Sequence, residues 1–291
     1  MTSRREQRIG GAVFPAGSEE ALKADFFRNT ATGFFVDVGA NAPHDGSQSW
    51  ALERQGWSGV LVEPQPDLAE QLLRERRAKV YAVACSTPEN AGKTLTLYLA
   101  GIQSSLDAGF YVAGVRRSGS VEVPVMTLDQ VLEDAGAPQP LDFVSIDVEG
   151  HDVEVLAGFD LARWRPRLLL IEDVVQSLDL HRHLVARGYR WMRRTGINSW
   201  YVPADAPFRL DLKGRAQCVR KCYLGPAVPH AAREETAAAP AVTARNFTNR
   251  ASARLPRSER RFAALRRCAR ACSGSCASAS LAVPRSPSAA A

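Results

Sequence analysis

Four carboxylates stand at or near the ends of short apolar runs: Asp37 in Phe34-Phe35-Val36-Asp37-Val38, Glu63 after Gly59-Val60-Leu61-Val62, Asp147 after Phe143-Val144-Ser145-Ile146, and Glu172 after Leu168-Leu169-Leu170-Ile171. Apolar runs of this length, bounded by Gly or Pro, read as buried strands. In an open parallel sheet the ligand crevice lies beyond the carboxyl ends of the strands, where the strand order reverses, so the four acids are expected to converge there. Asp37-Val38-Gly39-Ala40-Asn41 adds a glycine turn at which the backbone can come close to a ligand. No Gly-x-Gly-x-x-Gly and no complete Gly-x-x-x-x-Gly-Lys-Ser/Thr cradle is present, since Gly92-Lys93-Thr94 follows Thr87 rather than Gly, which disfavours pyrophosphate. Acidic strand ends better suit a cofactor with a cationic centre, an amino acid end and a ribose. Glu63, 26 residues after Asp37, is placed to accept from two ribose hydroxyls, and Asp37 to receive an ammonium. The competing reading is that Asp37 and Asn41 only shape a turn, which both residue types favour.

The elements that must position these groups follow from periodicity. Ala21 to Arg28 has a short helical pattern. Strands are expected at Phe34–Val38, Gly59–Glu63, Lys79–Ala84, Phe143–Asp147 and Leu168–Glu172. Helices are expected at Ser47–Arg54, at Asp67–Arg76 with Leu68, Leu72 and Leu73 at helical spacing, and at Leu178–Arg187 closed by Gly188. Strands alternating with helices over short connections indicate βαβ units, a parallel sheet and right-handed crossovers that place helices on both faces. Thr94–Leu99 and Ser120–Val125 alternate like antiparallel strands. Thr127 reads as the N-cap of a helix running to Ala135 and stopped by Gly136, and Trp191–Val202 reads as a closing hairpin.

Taken together, Phe35-Val36-Asp37-Val38-Gly39-Ala40-Asn41, Gly56-Trp57-Ser58-Gly59 leading to Val62-Glu63-Pro64, Ser104-Ser105-Leu106, Thr127-Leu128-Asp129 and Ile146-Asp147-Val148-Glu149-Gly150-His151-Asp152 resemble the FkbM-type S-adenosylmethionine-dependent methyltransferases, over roughly residues 33–203. The resemblance implies an α/β, class I methyltransferase Rossmann-like fold: a mostly parallel seven-stranded sheet with helices on both faces and an antiparallel last strand. It also implies S-adenosylmethionine as methyl donor and a hydroxyl of a small molecule, natural product or sugar as acceptor. By the same carry-over Asp37, Gly39 and Asn41 hold the cofactor's amino acid end, Glu63 and Pro64 its ribose, and Ala84-Cys85-Ser86 border the adenine. Ser86 stands where many methyltransferases have an acid, and Asp152 where the family pattern more often has Glu.

Methyl transfer from a sulfonium extinguishes charge, so it demands in-line geometry and a less protonated nucleophile rather than a large electrostatic rescue. Asp147, Glu149 and His151 are the expected groups on the acceptor side, with His151 the natural proton acceptor at an unperturbed pKa of about 6.5. Alternatively Asp147 or Glu149 caps the helix beginning near Asp152. Asp147, Glu149, His151 and Glu172-Asp173 also suit Mg²⁺ or Mn²⁺. His181, Arg182 and His183 read as a solvated helix face. Arg193 to Tyr201 reads either as an acceptor-side wall or, for Trp191, Trp200 and Tyr201, as packing.

The chain has 291 residues, 45% hydrophobic and 23% charged, enough for one large α/β domain and a tail. Residues 1–32 are expected to be an N-terminal extension, 33–203 the methyltransferase domain, 204–223 its C-terminal segment, and 224–291 a basic, low-complexity, disordered tail. From Leu224 onward there are eleven arginines and three glutamates, more than the whole net charge of +6. The rest is slightly acidic, so no nucleic-acid partner is expected. Cys268, Cys272 and Cys276 lack the CxxC knuckles of a zinc site. No apolar run is long enough for a membrane span and no signal core follows Met1, so a cytoplasmic location is expected. Two other function classes remain open: a nucleotide-linked oxidoreductase on a similar sheet, and a non-catalytic S-adenosylmethionine-binding protein.

Overall fold

The computed structural model describes residues 7–9, 12–14, 18–109, 114–173, 178–207 and 212–224, all within the compact unit Met1–Pro229. The basic stretch beyond Leu224 lies outside the described residues. In chain order the first elements are β1 (Gln7–Ile9), β2 (Ala12–Phe14), α1 (Glu19–Phe26), β3 (Phe34–Val38), α2 (Trp50–Arg54), β4 (Ser58–Val62), α3 (Pro66–Glu75), β5 (Lys79–Tyr81), β6 (Ala84–Cys85), β7 (Thr94–Leu99) and β8 (Gly119–Met126). Then come α4 (Leu128–Ala135), β9 (Phe143–Ile146), α5 (Asp152–Ala157), α6 (Leu161–Trp164), β10 (Leu168–Glu172), α7 (Leu178–Ala186), β11 (Tyr189–Thr195), β12 (Asn198–Pro203) and α8 (Leu212–Val219). No described helix is long and apolar enough to cross a membrane.

Seven strands form the main sheet in the order β5-β4-β3-β9-β10-β12-β11. The pairs among β5, β4, β3, β9 and β10 are parallel, and β12 runs antiparallel to both of its neighbours. This is the α/β, mostly parallel seven-stranded sheet expected from the sequence, with its last strand reversed. The chain builds outward in one direction from β3 to β5 and in the other from β9 onward, so the order reverses between β3 and β9, where a crevice must open.

Both faces of the sheet are covered. On one side Val36, Val38, Val60, Val144, Ile146 and Leu169 pack with Leu128, Val131, Val155, Leu156 and Leu184 of the helices. On the other, Phe35, Leu61, Phe143 and Leu170 pack with Phe27, Leu52, Trp57 and Leu72. Period-two alternation thus serves two cores at once, and each fully buried large side chain contributes about 1.5–3 kcal/mol. Asp37 shares the Phe35 face, which turns it toward α1, α2 and α3.

Local signals set several boundaries. Pro66 starts α3, where its missing N–H costs nothing. Thr127 and Gln130 form a reciprocal capping box, and Gly136 ends α4 in the left-handed region at φ 66°. Two expectations are corrected. The strand predicted as Lys79–Ala84 breaks after Tyr81, because Ala84 and Cys85 leave the main sheet to pair with Val125 and Met126 of β8, in a separate sheet ordered β6-β8-β7. The helix predicted from Ser47 begins at Trp50, because the Ser47 hydroxyl accepts from the Trp50 N–H at 3.2 Å and holds the preceding residues in a turn.

Candidate functional site

A cavity of about 740 Å³ opens at the β3/β9 reversal. Its floor depends on one glycine. The Asp147 N–H donates to the Val38 carbonyl at 2.9 Å, and a Cβ at Gly39 would lie 1.8 Å from the Asp147 carbonyl oxygen. Gly39 also has φ +81°, so side chains are excluded there on two grounds. Beyond it the Gly39 and Ala40 N–H groups donate to the Val62 carbonyl at 2.9 and 3.1 Å, tying the turn to the tip of β4. Asn41 follows at φ 52°, a left-handed conformation that Asn tolerates.

Glu63 sits just past β4, buried on the cavity wall. One carboxylate oxygen accepts from the Asn41 N–H and the other from the Gln65 N–H, each at 2.8 Å. Burial pushes its pKa up to about 7, against the pull of these two amides. Each oxygen keeps a lone pair for a further donor. Asp37 is also buried; it accepts from the Ser49 hydroxyl at 2.6 Å, and Ser49 in turn accepts from Arg76 at 3.0 Å. Burial raises the Asp37 pKa, while Ser49, Arg76 and the buried Lys23 oppose the rise. Arg76 is further held by Glu53, the Pro43 carbonyl at 2.9 Å and Ser47 at 3.1 Å. Lys23 donates to the carbonyl and side chain of Gln48 at 2.7 Å each.

Across the reversal, oxygens of Asp147, Glu149 and Glu172 lie within 4.8 Å of one another. Asp147 and Glu172 face each other within that distance, which favours a proton held between them. Burial is the first cause of every shift here: Asp147 is raised, Glu149 reaches about 7 and Glu172 about 9. Behind them Asp152 is pushed up to about 8 by burial and then by Asp147, and its Oδ1 is buried without a hydrogen-bond partner. Glu149 has φ 51°, a strained backbone for a non-glycine residue. Asp173 turns elsewhere, accepting from Ser199 at 3.0 Å and pairing with the buried Lys221. No Lys or Arg is among the described residues lining the cavity.

Of the residues singled out in the sequence, Asp37, Gly39, Asn41, Glu63, Pro64, Ala84, Asp147, Glu149 and His151 all line this one cavity, as does Glu172. Ser86 does not; it is fully buried, with its hydroxyl 2.9 Å from His151 Nε2. Burial lowers the His151 pKa. The capping alternative for Asp147 and Glu149 has no counterpart: the N-cap of α5 is His151, with no side-chain cap hydrogen bond. His181 is buried beside the Tyr201 hydroxyl at 3.3 Å rather than on a solvated face, because α7 turns it against β12. Trp191, Trp200 and Tyr201 are buried packing.

Sequence reasoning missed the roof. Gly101 to Ser104 and Leu106, between β7 and β8, line the cavity. Ser104 donates toward Gln65 at 3.0 Å, and Ser105 donates to the Glu149 carbonyl at 2.7 Å, so this loop joins the two halves of the site. Its signal was the Ser104-Ser105-Leu106 string, which carried resemblance but no assigned role.

No curated protein matches the chain. Among solved structures it is similar to the Haemophilus influenzae protein HI0767, described as a candidate methylase, with 17% identity, 68% of this chain and 99% of the other covered, and a TM-score of 0.36. At that TM-score the likeness adds nothing to the topology described above. The model of the methyltransferase FkbM domain matches residues 37–191, more than half of the chain and nearly all of the cavity wall. The chain therefore belongs to the FkbM methyltransferase family.

Proposed function

We propose that the protein transfers a methyl group from S-adenosylmethionine to a hydroxyl of a small-molecule, natural-product or sugar acceptor. The observation that carries this reading is the gathering of Asp37 and Glu63 on one side of a single cavity, with Asp147, Glu149 and His151 on the other. The residues fit the cofactor: the Gly39-Ala40-Asn41 turn presents backbone on the cavity wall, and Glu63 is a buried carboxylate with spare lone pairs at a strand tip. When bound, the cofactor supplies an activated methyl group on a sulfonium. Asp37, Gly39 and Asn41 hold its amino acid end, Glu63 and Pro64 the ribose, and Ala84 borders the adenine. Asp147, Glu149 and His151 surround the acceptor hydroxyl, orient it in line and take up its proton. Among the described residues the wall carries no Lys or Arg, which suits an acceptor lacking phosphate or carboxylate.

The convergence of Asp147, Glu149 and Glu172 favours a second element, Mg²⁺ or Mn²⁺ at that cluster. Calorimetry with S-adenosylmethionine, S-adenosylhomocysteine and NAD tests the cofactor: binding of the first two without the third is expected, and NAD binding alone would replace this reading with an oxidoreductase. Transfer of labelled methyl to a cell extract tests turnover, and its absence despite tight cofactor binding would leave a binding protein. Full activity in chelator removes the metal.

A further inference from the structure

His151 reaches the cavity from the N-terminal end of α5, yet its Nε2 points away from the cavity, to a hydroxyl that no solvent touches. That hydroxyl, Ser86 Oγ, also accepts from Asn90 Nδ2 at 3.0 Å. Asn90 closes the single 3₁₀ turn Pro88–Asn90 just after β6. The two halves of this contact are locked together by backbone. The Ser86 N–H donates to the Met126 carbonyl at 3.1 Å, and the Ser86 carbonyl oxygen lies 2.3 Å from where a Cβ at Gly158 would sit. Gly158 ends α5 and His151 begins it, so Ser86 braces both ends of the helix.

The hydrogen count then decides the imidazole. A serine hydroxyl has one hydrogen to give, and a fully buried one gives it. Asn90 approaches Ser86 with its amide hydrogens, so it cannot receive that hydrogen. Among the described residues the acceptor in reach is His151 Nε2. A neutral imidazole that accepts at Nε2 carries its own proton at Nδ1. Nδ1 lies 3.8 Å from Glu154 Oε2, beyond hydrogen-bond distance, so its hydrogen is not claimed by that carboxylate.

We propose that Asn90 and Ser86 are positioning residues that hold His151 in the tautomer protonated at Nδ1, so that the imidazole meets the acceptor as a hydrogen-bond donor. This rests on the methyltransferase reading only for the identity of what it meets. It takes the proton-accepting role expected for His151 away from the imidazole and leaves that role to the carboxylates beside it. It also gives Ser86 a task other than adenine contact.

The tautomer is measurable without cofactor or acceptor. In ¹⁵N-histidine-labelled full-length protein at pH 8, the five histidines are separated by a His151→Gln control. The His151 ring is expected to show a pyrrole-type Nδ1 and a pyridine-type Nε2. Asn90→Asp replaces the donor to Ser86 by an acceptor and should turn the hydroxyl round, exchanging the two signals. If that variant does not fold, Ser86→Ala frees Nε2 and should shift the ring toward the Nε2–H form. A pyrrole-type Nε2 in the unaltered protein overturns the proposal, as does a ring pattern unchanged in both variants. Calorimetry with S-adenosylhomocysteine adds a second arm: Ser86→Ala should leave affinity within about twofold, and a tenfold loss would return Ser86 to the cofactor. If the tautomer is as expected but S-adenosylhomocysteine does not bind at all, the proposed function fails while the positioning pair stands.

Discussion

The two halves of the cavity hold the same kind of side chain in opposite states of compensation. On the β3–β4 side, Asp37 and Glu63 are buried but answered: Ser49, Arg76 and Lys23 stand behind one, and the Asn41 and Gln65 amides grip the other. Burial raises the carboxylates of both halves, but on the β9–β10 side Asp147, Glu149, Glu172 and Asp152 have mainly each other, so neighbouring acids add to the rise and no cation opposes it among the causes. A compensated carboxylate is a rigid acceptor ready for hydroxyls and an ammonium. An uncompensated cluster trades protons easily and is completed by whatever positive charge or proton arrives. The first is binding equipment; the second suits the reacting end.

The comparison breaks most violently if its compensation is removed. Arg76 is buried against Glu53, whose side chain is 1% exposed, while also supporting Ser49 under Asp37. Arg76→Met strands two buried carboxylates and should cost about 3–5 kcal/mol, read from chemical denaturation. Gly39→Ala is comparable, at least about 3 kcal/mol, since it combines a backbone penalty with a collision into the β9 strand end. Gly46→Ala is its control: φ is +75° but nothing stands within 4 Å, so only about 1 kcal/mol should be lost. Equal losses at the two glycines would mean that the close approach of Gly39 to Asp147 is not a real constraint.

A pair of neutral replacements sharpens the division of labour. Glu63→Gln keeps the shape but loses charge-assisted bonds of about 1.5–3 kcal/mol, so affinity for S-adenosylhomocysteine should fall roughly 10- to 100-fold by calorimetry. Glu172→Gln should change it by less than about threefold, because Glu172 already holds its proton near neutral pH. Reversed sensitivities would exchange the two halves.

Much of this was legible in the sequence, for identifiable reasons. Strand tips at Asp37, Glu63, Asp147 and Glu172 could be read because a buried strand leaves an apolar run ending in Gly or Pro, and parallel topology sends all such ends to one side. Thr127 and Gly136 were legible because capping is local chemistry. Ser86 and His181 were not: each is decided by a partner 65 or 20 residues away, His151 and Tyr201 respectively, and no spacing rule reports that. The break after Tyr81 was hidden for the same reason, since Ala84 and Cys85 look like a strand and are one, in another sheet. The roof loop shows the converse, a string noticed without its task because Ser104 and Ser105 act through Gln65 and Glu149.

The pH dependence of stability is the most diagnostic of the uncompensated half. Glu63 and Glu149 keep their protons to about pH 7, Asp152 to about 8 and Glu172 to about 9, whereas in the unfolded chain all are ionised above about 4.5. Between those limits the folded protein binds more protons than the unfolded one, so stability must fall as pH rises. The contribution is intact below about pH 4.5 and is lost progressively through the folded values. Above pH 7 the remaining loss belongs mainly to Asp152 and Glu172. In chelator and without cofactor, raising the pH from 7 to 9 should therefore cost up to about 4 kcal/mol, lowering Tm by roughly 8–15 °C. Glu172→Gln should flatten that slope by about half and raise Tm at pH 9, while Glu63→Gln should act mainly below pH 8. A Tm that holds steady or climbs from pH 7 to 9 in the unaltered protein would mean that the β9–β10 carboxylates are already ionised and compensated, and the contrast between the two halves would vanish.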